Sequence, residues 1–215
     1  LDTLKEVFVD RAYADYFPFY QRATVLDIGA HKGYFSLFAL KNLAADSHIV
    51  AVEPYPGHVA QLKKNLVANG GARVQVLSVG LSDHSRTADL HIGPSENHSL
   101  FAGYVRLLRR PASNESLAVP VCSLKDLLTE QNLEQVDFLK MDCEGAEYPA
   151  LLAADAATLA RIKTISMEFH DLKDPRYTGL ILARHLVRHD FSIVKFAHGA
   201  TTIDNNYGKL GVTRY

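Results

Sequence analysis

The sequence predicts an α/β domain: a mainly parallel sheet with helices on both faces. Three observations lead there. Short apolar runs rich in β-branched residues alternate with segments of helical periodicity almost throughout, the rhythm of right-handed crossover units. The turn signals fall between those segments, as at Asn69-Gly70, a good C-terminal stop for a helix. The length of 215 residues with 47% hydrophobic content suits one domain, spanning 1–215, with a substantial core.

Taken in order, ATVLDIGA (Ala23 to Ala30) reads as the first strand and YFSLFALKNLA as the helix behind it. HIVAVEP is the second strand and GHVAQLKKNLVANG the second helix. RVQVLSVGLS reads as a third strand and VDFLKMD as a later one. EYPALLAADAATLA is helical, provided that Pro149 falls in the first turn, where its missing N–H costs nothing. KTISMEFH is a strand, YTGLILARHLVRHD a helix, and FSIVKFA and KLGVTRY two closing strands. One segment breaks the rhythm: between the half-exposed strands RTADLHIG and SLAVPVCSL lies an insertion, residues 93–116, long enough to serve as a lid or a binding loop. Residues 1–23 are expected to form an N-terminal helical cover.

Bulk properties exclude several classes. The net charge of −1 gives no general footprint for nucleic acid or an anionic membrane. The only obvious basic cluster, RLLRR (Arg106 to Arg110), reads as a solvated face. The two cysteines, Cys122 and Cys143, lack the spacing of a disulfide scaffold or a zinc site, and Cys143 reads as a buried, inert thiol. No run approaches the roughly 20 apolar residues of a membrane-spanning helix, and a cytoplasmic location is the default expectation.

In an open parallel sheet, ligands bind at the carboxyl ends of the strands. The first strand ends in DIGAHKG, which supplies Asp27, Gly29, Ala30, His31 and Gly33. A glycine there lets the backbone approach a ligand, and the helix that follows offers free N–H groups to an anionic group. The second strand ends in Glu53 and Pro54; an acid at that point suits the two hydroxyls of a ribose. The spacing Gly29-x-x-x-Gly33 departs from the GxGxxG of dinucleotide sites, so S-adenosylmethionine is preferred over a nicotinamide cofactor. Ser82 and Asp83 end the third strand, within reach of an adenine amine. The fourth and fifth strands end in MDCEGAE and MEFHD, and Asp142, Glu144, Glu168 and His170 are expected to converge on one rim.

These blocks, VLDIGAHKGYFS, VEPYPG, GLSD, NHSL, VDFLKMDCEGAEYPALL and ISMEFH, stand in the order and spacing of the FkbM-type S-adenosylmethionine-dependent methyltransferases, which the chain resembles from about Thr24 onward. The K-x-D-x-E-G-x-E form of KMDCEGAE is the most specific. The resemblance implies a seven-stranded Rossmann-like class I fold with an antiparallel last strand. It implies methyl transfer to a hydroxyl of a sugar, glycolipid or secondary-metabolite acceptor. By position, the Gly29 loop holds the methionyl part, Glu53 the ribose, and Ser82 with Asp83 the adenine side. Asn97, His98 and Ser99 match a polar N-x-S-L loop that shapes the acceptor site.

A hydroxyl needs a base, and general-base help is worth about 10²–10⁴-fold. His170, whose ordinary pKa lies near neutrality, is the preferred base among Asp142, Glu144, Glu168 and His170. Asp142, Glu168 and His170 are also a candidate oxygen-and-nitrogen set for Mg²⁺ or Mn²⁺, which would relieve the repulsion between the acids. A nicotinamide-dependent oxidoreductase and a non-catalytic S-adenosylmethionine-binding module are the alternative readings.

Overall fold

The computed structural model describes residues 2–93, 97–107, 115–198 and 207–214. Ten strands and eight helices follow one another there: α1 (Asp2–Phe8), β1 (Thr24–Ile28), α2 (Tyr34–Asn42), β2 (His48–Val52), α3 (Pro56–Ala68), β3 (Val74–Leu77), β4 (Gly80–Ser82), β5 (Arg86–His91), α4 (Ala102–Leu107), β6 (Ser116–Ser123), α5 (Leu124–Glu130), β7 (Val136–Met141), α6 (Glu147–Leu152), α7 (Ala156–Ala160), β8 (Ile162–His170), α8 (Gly179–Val187), β9 (Ser192–His198) and β10 (Tyr207–Thr213).

Seven strands form one sheet in the order β3-β2-β1-β7-β8-β10-β9. The pairs β1–β2, β1–β7, β2–β3 and β7–β8 are parallel, and β10 is antiparallel to both its neighbours. Strand order reverses between β1 and β7, so the crevice for a ligand opens beyond Ile28 and Met141, which are paired in register. This is the expected seven-stranded architecture with an antiparallel last strand.

Alternation along the central strands builds two cores. Leu26, Ile28, Val50, Val52, Leu139 and Met141 point to the face covered by α5, α6 and α8; Val25, Ile49, Ala51 and Phe138 point to the face covered by α1, α2 and α3. Each of these side chains other than that of Ala51 contributes roughly 1.5–3 kcal/mol of transfer free energy when fully buried.

Local chemistry explains most element ends. Helix α3 stops where expected: Gly70 adopts φ +70°, and the Gly71 N–H donates to Leu66 O at 2.7 Å. Pro149 lies in the first turn of α6. The helical tract after β7 divides into α6 and α7, because Asp155 caps a new helix by accepting from Thr158 N at 2.7 Å.

Two expectations need correction. RVQVLSVGLS is two strands: β3 stays in the main sheet, while β4 leaves it to pair with β6 in a three-stranded sheet of order β4-β6-β5. The segment 1–23 is helical only over α1; Tyr13 and Phe17 then pack in turns against Phe35, Phe38 and Phe138. Within the insertion, Ser99 bridges back to His91 of β5 and the helix α4 forms; residues 94–96 and 108–114, and with them most of RLLRR, lie outside the described residues. No described helix is long and apolar enough to cross a membrane.

Candidate active site

The loop between β1 and α2 approaches the turn after β7 so closely that only glycine fits at position 29. Its φ is +70°, and a Cβ there would lie 1.7 Å from the Asp142 carbonyl oxygen. Beneath the loop, Lys140 is buried and donates to the carbonyls of Ile28 (3.2 Å) and Gly29 (2.8 Å), with Asp27 Oδ1 at 3.3 Å. Burial works against the Lys140 charge, but Asp27 and Asp142 outweigh it and raise its pKa. Asp27 is fully buried, accepts from Ser36 Oγ at 2.6 Å, and does not line the cavity above. It supports the loop from below.

That cavity is walled by Gly29, Ala30 and His31, by Glu53 and Pro54 after β2, by Asp142 and Glu144 after β7, and by Asn97 and His98 of the insertion. Thr3, Val7 and Tyr13 of the N-terminal segment close one side, and Val79, Leu81, Leu90 and Leu100 make an apolar end. Glu53 accepts from the backbone N–H groups of His31 and Tyr55, both at 2.9 Å, and lies 3.4 Å from His58 Nδ1. Burial pushes its carboxyl up, yet the His58 and backbone hydrogen bonds win and hold it below the usual range.

The acids and His170 do converge. His170 Nε2 is 3.7 Å from Asp142 Oδ1 and 3.5 Å from Glu144 Oε2, and Nδ1 is 3.1 Å from Glu147 Oε1. The ring is buried and forms no part of the cavity wall. Burial lowers its pKa, but Glu144, Glu147 and Asp142 together carry it well above the ordinary value, so the ring is charged at neutral pH. Glu144 behaves oppositely: burial, then Asp142, push its carboxyl up to about 7 against the pull of His170. Its backbone is left-handed at φ +55°, and Ser99 Oγ donates to its carbonyl at 2.5 Å.

Besides Asp27 and His170, other placements differ from the sequence reading. Ser82 and Asp83 do not line the cavity: Ser82 Oγ donates to Asp83 Oδ1, and the half-exposed Asp83 turns to Arg86 at 2.7 Å. Against slight burial, Arg86 and Ser82 hold the Asp83 carboxyl below its ordinary value. Ser99 is buried and serves the Glu144 turn rather than the cavity. Gly33 caps α2 against Leu62, away from the cavity.

Asp142, Glu168 and His170 offer ligand atoms within 4.8 Å of one another, but the set does not fit a divalent ion as arranged. The Lys209 ammonium is 3.0 Å from Glu168 Oε1, and Tyr13 donates to Asp142 Oδ2 at 2.9 Å, so two of the three ligand positions are already engaged. Lys209, from β10, supplies the positive charge expected of an ion. Burial and the nearby Asp142 push the Glu168 carboxyl up to about 8.

Sequence reasoning missed Tyr13, Lys140, Glu147, His58 and Lys209. Two had a signal: Lys140 shares strand parity with Asp142, and Glu147 closes the E-G-x-E motif, where it accepts from Cys143 N and Gly145 N at 2.8 Å. Cys143, expected to be buried, is only partly so and lines the cavity; burial followed by Glu147 pushes its thiol well up.

A sheet of this order, with a glycine turn and an acid at successive strand ends, is the class I methyltransferase architecture. Residues 27–193 match the methyltransferase FkbM domain, and the chain belongs to the FkbM methyltransferase family. It is 31% identical, over 88% of its length, to the AMB antimetabolite synthetase AmbE of Pseudomonas aeruginosa, of which it spans 10%. It is 30% identical to Methyltransferase 1 of Beauveria bassiana, covering 79% of this chain and 73% of that protein. To the 31-O-demethyl-FK506 methyltransferase FkbM of Streptomyces tacrolimicus it is 26% identical, covering 88% and 81%. Among solved structures, methyltransferase FkbM from Methylobacillus flagellatus superposes with a TM-score of 0.58 at 16% identity, covering 88% of this chain and 43% of that one. Magnesium protoporphyrin IX methyltransferase from Synechocystis, with bound S-adenosylmethionine, gives 0.50 at 12% identity, covering 100% and 79%. These two likenesses speak for the fold.

Proposed function

We propose that the protein transfers a methyl group from S-adenosylmethionine to a hydroxyl of a small-molecule, glycan or secondary-metabolite acceptor. One observation carries this reading: Glu53, the Gly29 loop and the pair Asp142–Glu144 open onto a single cavity at the carboxyl ends of β2, β1 and β7. The family membership supports the donor, and the O-methylation named for the Streptomyces relative supports a hydroxyl acceptor.

When bound, S-adenosylmethionine supplies a methyl group on a cationic sulfur. Glu53, held low and aimed by two backbone N–H groups, accepts from ribose hydroxyls. The Gly29 loop and the start of α2 take the methionyl end. Asp142 and Glu144 line the cavity where the cationic sulfur and the acceptor oxygen would meet. Glu144 would take the proton of the acceptor hydroxyl as its oxygen receives the methyl group. His170, charged and outside the cavity, orients Asp142 and Glu144 rather than acting as the base. Aligning donor and acceptor alone can supply roughly 7–11 kcal/mol of barrier reduction.

The test is incubation with methyl-labelled S-adenosylmethionine and a panel of hydroxylated metabolites and glycans. Label on an oxygen, lost in Glu144→Gln, is the expected result; label on nitrogen, or undiminished transfer in Glu144→Gln, overturns it. Because Lys209 supplies the local cation, dialysis against EDTA should leave turnover within about twofold, and a loss restored only by Mg²⁺ or Mn²⁺ would return the metal to the site.

A further inference from the structure

Asp142 is held in place from several parts of the chain at once. Its backbone N–H donates to Ile28 O at 3.1 Å, which ties the turn after β7 to the end of β1. Its side chain is 25% exposed and lines the main cavity. Each carboxylate oxygen has a neighbour: His170 Nε2 lies 3.7 Å from Oδ1, and the Tyr13 hydroxyl donates to Oδ2 at 2.9 Å.

Tyr13 comes from outside residues 27–193, the part of the chain that matches the family domain. It is 3% exposed, yet it lines the cavity as Asp142 does. Phe35 packs on its ring at 5.8 Å with the planes 77° apart, and the Lys140 and Lys209 ammoniums each lie 5.4 Å from its centroid. A phenol so enclosed has little freedom, and its hydroxyl is a fixed donor. Burial, then Asp142, push its pKa well up, so it keeps its proton. Burial pushes the Asp142 carboxyl up as well, but Lys140, His170 and Tyr13 outweigh it and keep the carboxylate charged. Lys140, His170 and Lys209 all attract that carboxylate. The hydroxyl bond is directional where those attractions are not, so it decides how the carboxylate is turned.

We propose that Tyr13 is a positioning residue: through its bond to Asp142 it holds that carboxylate toward the cationic sulfur of the methyl donor, so that the site favours S-adenosylmethionine over S-adenosylhomocysteine. The two ligands differ by a methyl group and one positive charge, and a fixed carboxylate tells them apart by the charge. The spent cofactor loses this attraction when the methyl group leaves, which speeds its release. The inference rests on the reading of the main cavity above and deepens it, giving the N-terminal segment a part in donor selection.

The experiment is calorimetry of the full chain with S-adenosylmethionine and, separately, with S-adenosylhomocysteine. Tyr13→Phe keeps the ring and its packing and removes only the hydroxyl. The unaltered chain should bind S-adenosylmethionine at least about fivefold more tightly than S-adenosylhomocysteine. Tyr13→Phe should weaken S-adenosylmethionine about fivefold and leave S-adenosylhomocysteine within about twofold. Asp142→Asn should erase the preference, and adding Tyr13→Phe to it should cost nothing more, because Tyr13 acts through Asp142. Equal losses for both ligands in Tyr13→Phe would reduce Tyr13 to packing and overturn the proposal. So would undiminished affinity for S-adenosylmethionine, or an unaltered chain without the preference. Near-ultraviolet circular dichroism reports the folding of each variant. A Tyr13→Phe chain that does not fold leaves Asp142→Asn to decide, since a preference that survives there has no carboxylate behind it and overturns the proposal. Failure of both ligands to bind the unaltered chain would instead overturn the reading of the main cavity itself.

Discussion

Glu144 combines a left-handed backbone, a partly buried carboxyl and a place on the cavity wall, and each has a cause in a neighbouring residue. Ser99 pins its carbonyl, His170 draws its carboxyl inward, and Asp142 keeps the charge costly. With the carboxyl pushed up to about 7, the base form appears only as pH rises through that value. A profile of kcat/KM should therefore show an acidic limb near pH 7 that belongs to the Glu144–Asp142–His170 cluster. The stability sign is opposite: a folded-state pKa raised above 4.5 gives a contribution present below that value and lost as pH rises through about 7. Glu53→Ala removes the acceptor for ribose hydroxyls, and calorimetry with S-adenosylhomocysteine should show affinity weakened by roughly tenfold to a hundredfold. Undiminished affinity would remove Glu53 from the binding site. The acids were legible in the sequence because they end strands in a tight motif. Tyr13, which donates to Asp142 from 129 positions away, was not, since nothing local in RAYADYF marks a long-range hydrogen bond.

At the scale of elements, the N-terminal segment is part of the core as well as a cover. Phe17 is buried and meets Phe35, Phe38 and Phe138 edge-on at 5.2–6.0 Å. Phe17→Ala should cost about 3–5 kcal/mol, measured by urea unfolding, because the rigid β1 and β7 strands beneath cannot collapse into the gap. A cost below about 1 kcal/mol would show the segment to be loosely laid on. Strand and helix positions were legible where apolar periodicity was strong, as in α3 and β7. The break between β3 and β4 was not: Val76 to Leu81 reads as one extended run. What separates the strands is a partner, β6, more than thirty residues away in the chain, with Gly80 giving room for Val121 at 3.1 Å from the place of a Cβ.

For the whole molecule, ligand binding should be visible as stability. A cofactor that occupies a cavity lined by both halves of the sheet binds only the folded state, so S-adenosylhomocysteine at 100 times its Kd adds about 2.7 kcal/mol. For a domain of this size that is a Tm rise of roughly 5–10 °C, and NADH should give none. A rise with NADH alone would favour the oxidoreductase reading. The sheet order was legible as a class because crossover rhythm permits few topologies. The counter-charge was not, because β10 alone carries Lys209 to Glu168, and a lysine in YGKLGVT looks like any exposed one. That insertion of β10 between β8 and β9 also sets an order of assembly. During synthesis the acids emerge well before their ammonium, so the nascent pocket repels itself until the final ribbon slides into its slot. A chain stalled short of that step would leave Glu168 without the Lys209 ammonium beside it.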